Sequence, residues 1–202
     1  MPELMNTVDC LGVAEVHGLI AALIVGNPAA REHAREALVA RGKPAVDPLI
    51  RLLDDHRPHV RWEAVKALGS IGDPAAAPAL VGALEDEDGD VRWLAAKGLI
   101  GLGLEALQPL LSALAFRSSS QDLLEGAHHV RYALNRRRLP RAVKPVLVAL
   151  NGSAPQIAVH LAAYAALHAF RESEPSLRGC AQRKPQTFLG QRGAGLGPLS
   201  VD

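Results

Sequence analysis

The chain has 202 residues, with 22 Lys and Arg against 21 Asp and Glu, so its net charge is close to zero. That balance excludes a general electrostatic pull toward nucleic acid or an anionic membrane. Hydrophobic residues make up 49% of the chain but aromatics only 3%, and an apolar content of mostly Ala, Leu and Val suits close helix packing better than a β-sandwich.

The first segment, MPELMNTVDCLGVAEVHGLIAALIVG, has no basic start, and Glu15 and His17 interrupt its apolar run. It reads as an amphipathic helix over Val13–Val25 and not as a signal peptide or a membrane span. Cys10 and Cys180 are the only cysteines and show no paired spacing. This argues against a disulfide framework or a four-thiol zinc site and for a reducing cytoplasm. Ala29–Ala40 is the helix that pairs with the first one.

The next elements repeat. Val-Arg-Trp occurs at Val60 and again at Val91, with Ala64 and Leu68 matched by Ala95 and Leu99. An earlier copy, REHAREALVARGKP, places Arg31, Ala34, Leu38 and Gly42 where Arg61, Ala64, Leu68 and Gly72 stand. A period of about 30 residues marks a solenoid. Each unit splits into a short A helix, such as Pro48–Leu53, a polar turn (DDHRP, EDEDGD), and a B helix. In the B helix from Val60, the residues Val60, Ala64, Ala67, Leu68 and Ile71 fall at helical spacing. Gly69 and Gly72 end it, and Asp73-Pro74 opens the next unit.

Downstream the pattern continues with lower fidelity. Leu107–Phe116 and Asp122–Arg137 form a fourth pair, and Leu139–Leu150 and Pro155–Phe170 a fifth, with Asn151-Gly152 as its turn. The expected fold is all-α, a right-handed α-α superhelix of about five helical hairpins over residues 1–171. Its terminal units each have one neighbour only. Residues 172–202 are rich in Gly, Pro, Gln and Arg without apolar periodicity, a composition that predicts a disordered tail.

The segment DPAAAPALVGALEDEDGDVRWLAAKGLIGLG resembles HEAT-like repeats of the phycobilisome-lyase type, with their Asp-Pro opening, acidic turn, Val-Arg and Ala/Leu-rich B helix. The resemblance is strongest over residues 44–103, fainter over 27–43 and 104–171, and absent from the tail. GAHHVRYAL is similar to segments of bacterial HEAT-repeat proteins. In such families the Arg after Val forms a structural ladder to the acidic turn of a neighbouring repeat. The resemblance therefore implies that role for Arg61 and Arg92, with Asp55, Asp86 or Asp90 as partners.

If Val60, Ala64 and Leu68 take the core, then Trp62, Glu63 and Lys66 face a concave groove, as do Trp93, Leu94 and Lys97 in the next repeat. Tryptophan is enriched at binding hot spots, and packing between adjacent B helices is the competing explanation for both indoles. Aligning Ala133-Leu134 with Ala67-Leu68 puts His128 and His129 at groove positions, with Tyr132 one turn beyond. Two adjacent histidines diverge by about 100° on a helix. A metal would therefore need a further ligand such as His160 or Glu125, and none is expected. Arg136, Arg137, Arg138, Arg141 and Lys144 form a basic cluster at a helix C-terminus, where the helix dipole favours positive charge.

The sequence has no nucleophile–base motif and no Gly-rich phosphate loop, which favours a non-catalytic scaffold or assembly factor that binds another protein or peptide, without a cofactor. The alternatives are a HEAT-type lyase-like enzyme or a chromophore- or metal-binding protein, and third a nucleic-acid binder. The chain resembles deoxyhypusine hydroxylase in repeat type, but it contains no His-Glu dipeptide, which argues against a diiron centre.

Overall fold

The computed structural model describes residues 3–117, 119–134, 140–152 and 155–173. Among them are ten α-helices: α1 (Glu3–Val25), α2 (Pro28–Arg41), α3 (Val46–Arg51), α4 (Pro58–Ile71), α5 (Ala77–Gly82), α6 (Gly89–Leu102), α7 (Leu107–Arg117), α8 (Gln121–Leu134), α9 (Lys144–Ala149) and α10 (Pro155–Ser173). The tail expected over 172–202 lies outside the described residues from position 174 onward, as does most of the basic cluster.

The short A helices share one construction. Six-residue α3 and α5 are each flanked by 3-10 turns, Lys43–Ala45 and Leu52–Asp54 around the first, Pro74–Ala76 and Ala83–Glu85 around the second. Proline sits in the first turn of these helices, at Pro48 and Pro78, where an absent N–H leaves no helical hydrogen bond unmade. The B helices are longer. Asn27 caps α2 by accepting from the Ala30 N–H at 2.9 Å, and Asp88 caps α6 through the Asp90 and Val91 N–H groups. Their ends are set by Gly42, Gly72 and Gly103, with φ of 64°, 68° and 67°. An L side chain is strained there, so glycine stops α2, α4 and α6 at the same point of the repeat.

Stacking follows from these units. The B helices form a row in which α2 packs on α4, α4 on α6 and α6 on α8, with α3 and α5 behind them. The core is aliphatic and continuous: Leu38, Leu49, Val60, Leu68, Leu80, Leu84, Val91, Leu99 and Leu123 are all fully buried. At one point the row closes to backbone contact, because a methyl group on Gly69 would stand 3.2 Å from the Gly98 Cα. Gly69 and Gly98 therefore stand where α4 and α6 approach most closely.

The last hairpin departs from the simple series. α10 packs chiefly along α7 and α9, so it leaves the row of B helices. The regular groove is therefore that of α2, α4, α6 and α8. Gly89–Arg117 is apolar and long enough by composition to cross a membrane, with half of its span buried. In the fold it is α6 and α7, two helices separated by the turn at Gly103.

Candidate functional site

A B helix in the middle of the stack is covered on three sides, by its A helix and by the B helices before and after it. One stripe stays open. On α4 this stripe is His59, Trp62, Lys66 and Ser70, and on α6 it is Asp90, Trp93 and Lys97. The two helices repeat one arrangement on it. The Lys66 ammonium lies 4.4 Å from the centroid of the Trp62 ring, and that of Lys97 lies 4.8 Å from the Trp93 ring. Each lysine, one helical turn after its indole, is held over an aromatic face. The rings differ in exposure: Trp62 is half-buried against the core, whereas Trp93 is 52% exposed.

Glu63 corrects the sequence expectation. It is buried, and its Oε2 accepts from Arg35 of α2 at 2.6 Å, with the Arg31 guanidinium 3.8 Å from its other oxygen. The core arc of a B helix is wider than the Val60–Ala64–Leu68 stripe, because it includes the side turned to the preceding B helix. Position 63 lies on that side, so Glu63 is a tie between α2 and α4 and leaves the open face. Its equivalent on α6, Leu94, also expected in the groove, packs against the core for the same reason.

Arg61 and Arg92 carry the ladder. Arg61 donates to both carboxylate oxygens of Asp86, at 2.8 and 2.9 Å, to Glu87 at 2.9 Å, and to the backbone carbonyl of Asp55 at 2.8 Å. It holds its own turn and the acidic turn of the next repeat together, and the paired carboxylates raise its pKa further above the usual arginine value. Arg92 donates to the Asp86 carbonyl at 2.7 Å and reaches Asp122 of α8 at 3.6 Å. Asp86, the partner of Arg61, is thus one of the three aspartates the resemblance implied. Arg92 takes an aspartate on the next B helix, which the sequence did not single out. Asp55 is bound within its own turn by the Arg57 guanidinium, whose hydrogen bonds hold its carboxyl well below the usual aspartate range.

The burial pattern of α8 shifts the register read from sequence. Ala127 and Val130 are fully buried in the places of Ala95 and Gly98, while Ala133 is only half-buried, unlike Ala67. The helix therefore sits about one turn from the expected alignment, which lacked any Arg-Trp landmark to fix it. Glu125 stands where Trp93 does on α6, and His129 where Lys97 does. His128 is exposed and lies 3.2 Å from the Arg131 guanidinium; Tyr132 is exposed one turn along.

Between α6 and α8 the open face deepens into a cavity of about 240 Å³, lined by Arg92, Trp93, Asp122, Glu125 and His129 among others. Trp93 and His129 come together there, as do Asp122 and Glu125. Lys66 and Lys97 share a shallower recess between α4 and α6. Nothing in the sequence marks Asp122 as a groove residue, because its role depends on an arginine in the previous repeat. Among the described residues, no three His, Cys, Asp or Glu side chains gather as metal ligands. On the A-helix side, Phe116 stands 70% exposed beside a second recess between α5 and α7.

These features define an α-solenoid of stacked hairpins with a side-chain-lined B-helix face. Residues 16–100 match a model of HEAT repeats, and the repeats read in the sequence are similar to segments of phycobilisome-lyase proteins. The chain is 44% identical over 70 residues to phycocyanobilin lyase subunit beta of Thermosynechococcus vestitus, a match over 35% of this chain and 33% of the relative. It is 39% identical over 70 residues to the phycobilisome maturation protein of Synechococcus elongatus, over 35% of this chain and 34% of that protein. The chain thus spans about a third of the length of the curated relatives it matches. Among solved structures, it is similar to the complex of CpcE and CpcF of phycocyanin lyase from Nostoc sp. PCC7120, at 28% identity, with a TM-score of 0.49 over 74% of this chain and 98% of that one.

Proposed function

We propose that this protein is an assembly factor that holds another protein along the open face of α4, α6 and α8. Trp93 is the central contact, and Trp62, Lys66, Lys97, His128, His129 and Tyr132 surround it. The observation that carries this reading is Trp93, a half-exposed indole at the mouth of a cavity with carboxylates and a histidine on its other wall. A large ring that is already held by packing and by its lysine binds at small entropic cost. Glu63 takes no part in contact, because it is committed to Arg35.

A second reading is favoured by the relatives, two of them named as phycocyanobilin lyase subunits. In it the same face serves as one subunit of a lyase-type enzyme. The two readings separate by ligand. As an assembly factor, the chain leaves the absorption spectrum of added phycocyanobilin unchanged; as a lyase-type subunit, it shifts that spectrum.

The test of the first reading is affinity capture from native extract with wild type, Trp93→Ala and Trp62→Ala, each checked for folding by circular dichroism. Trp93→Ala should weaken capture of a defined partner by roughly 2 kcal/mol, the loss typical of a truncated hot spot. Capture equal to wild type by a folded Trp93→Ala protein would sink the proposal.

A further inference from the structure

The sign of charge changes across α6 on the open face. Lys66 and Lys97 line the recess between α4 and α6, whereas Trp93 stands with Asp122 and Glu125 in the cavity between α6 and α8. The indole and the lysine over it thus turn to different hollows. Among the described residues neither lysine has a carboxylate within ion-pair reach; each is held over its own indole. In the cavity the charges do not balance. Arg92 is engaged by the Asp86 and Glu87 carbonyls, at 2.7 and 3.2 Å, and by Asp122 at 3.6 Å. Glu125 is exposed, and its carboxylate pairs with no described residue. Asp90, one turn before Trp93, lines neither hollow, and His129 completes the α8 wall. A cavity of about 240 Å³ with an indole on one wall and an unpaired carboxylate on the other suits a cation on an apolar stem. The ring covers the stem, and the carboxylate meets the charge.

We propose that this cavity receives an arginine side chain of the protein held on the face, and that the same partner segment sets an Asp or Glu over Lys66 and Lys97. This rests on the protein-holding reading above and names the chemistry of its partner. Charge complementarity selects the occupant. An acidic side chain in the cavity would meet Glu125 and Asp122, and a basic one in the recess would meet two lysines. An apolar side chain in the cavity would cover the Glu125 carboxylate without pairing it, which is unfavourable. Arginine suits the site better than lysine, because its planar guanidinium stacks on an indole while donating two parallel N–H bonds to a carboxylate. The hollows also set a spacing, since they lie on either side of one helix. Packed helix axes stand about 8–10 Å apart, the reach of three residues of extended chain at about 3.3 Å each. From α4 toward α8, the partner segment therefore presents an acidic residue, two others, and then arginine.

The chain has two tryptophans, so its indole N–H groups give two magnetic resonance signals, and Trp93→Phe assigns them. The experiment titrates the isotope-labelled full chain with the blocked peptide acetyl-Asp-Gly-Gly-Arg-amide to about 10 mM, a range that covers millimolar affinity. It is read at the Trp93 signal. Two further peptides put citrulline, the neutral isostere, in place of Arg, or Asn in place of Asp. Wild type should bind the charged peptide about threefold more tightly than either neutral one, the worth of a partly exposed charge pair. In Glu125→Gln, a change at an exposed position checked by circular dichroism, the preference for Arg over citrulline should vanish while that for Asp over Asn remains. A Trp93 signal that does not move overturns the proposal, as do equal affinities for the charged peptide and either neutral one. A preference for Arg that survives Glu125→Gln does so too. Partner capture that depends on Trp93 but is unchanged in Glu125→Gln would remove the arginine and leave the protein-holding face standing, so the two failures are told apart.

Discussion

Two arginines of the same motif do different amounts of structural work, and burial decides which matters more. Arg61 and Asp86 have side chains only 7% and 9% exposed, against 33% and 48% for Arg92 and Asp122. Removing one member of a buried pair strands the other charge, a loss of about 3 kcal/mol, whereas an exposed pair contributes about 1 kcal/mol or less. Urea denaturation should therefore find Arg61→Ala about 3 kcal/mol less stable than wild type and Arg92→Ala within about 1 kcal/mol of it. Asp55 supplies the pH dependence. Its carboxyl pKa is lowered in the fold by the Arg57 hydrogen bonds, so the folded state favours its charged form. Its contribution is complete above the ordinary aspartate value and is lost as pH falls below about 4. The stability gap between wild type and Asp55→Asn should stay constant near neutrality and shrink in acid, measured by urea titrations across that range. A ladder from Arg61 to an acidic turn was legible through the repeated Val-Arg and the resemblance it carries, with Asp86 one of three candidate partners. The Glu63–Arg35 tie was not, because the partners are 28 residues apart and no pattern links a glutamate in one repeat to an arginine in the last.

At the scale of the element, two of the three glycines of α6 have opposite environments. A methyl group at Gly98 would stand 3.1 Å from Leu80 Cδ1 and 3.3 Å from the Gly69 Cα, whereas one at Gly101 would meet nothing within 4 Å. Gly98→Val should push α4 and α6 apart and cost about 1–3 kcal/mol. Gly101→Ala should instead stabilise the helix by up to about 1 kcal/mol. Thermal unfolding of the two variants should move in opposite directions, and equal shifts would mean that the close approach at Gly69 does not constrain the row. Helix positions were legible wherever a landmark recurred: α4 and α6 follow the repeated Val-Arg-Trp and their terminal glycines. α8 has neither, so the alignment on Ala133-Leu134 slipped by about a turn. The A helices were legible as short apolar segments, but their 3-10 flanks were not, since hydrophobic period alone does not separate the two helix types over so few residues.

For the whole molecule, stability is distributed along the stack. In a repeat protein each unit adds its own stability and that of its interfaces, so central helices with a neighbour on each side should open last. Hydrogen exchange should show the amides of α4 and α6 as the most protected and those of α1 as exchanging earlier, since α1 has α2 as its main neighbour. Uniform protection across all ten helices would mean a single cooperative unit. The overall architecture was legible because one period governs most of the chain. The turn of α10 onto α7 was not, because which neighbour a terminal hairpin chooses depends on shape complementarity between helices that share no repeat signature.

The ladder also fixes an order in time. Arg35 finds Glu63 28 residues later in the chain, and Arg61 finds Asp86 25 residues later. As the protein leaves the ribosome, α2, α4 and α6 therefore each emerge with an arginine that has a carboxylate partner further along the chain. Each of these three units gains a charged contact from its successor. Synthesis from the N-terminus thus lays the hairpins down one behind another, and the growing end stays open to accept the next.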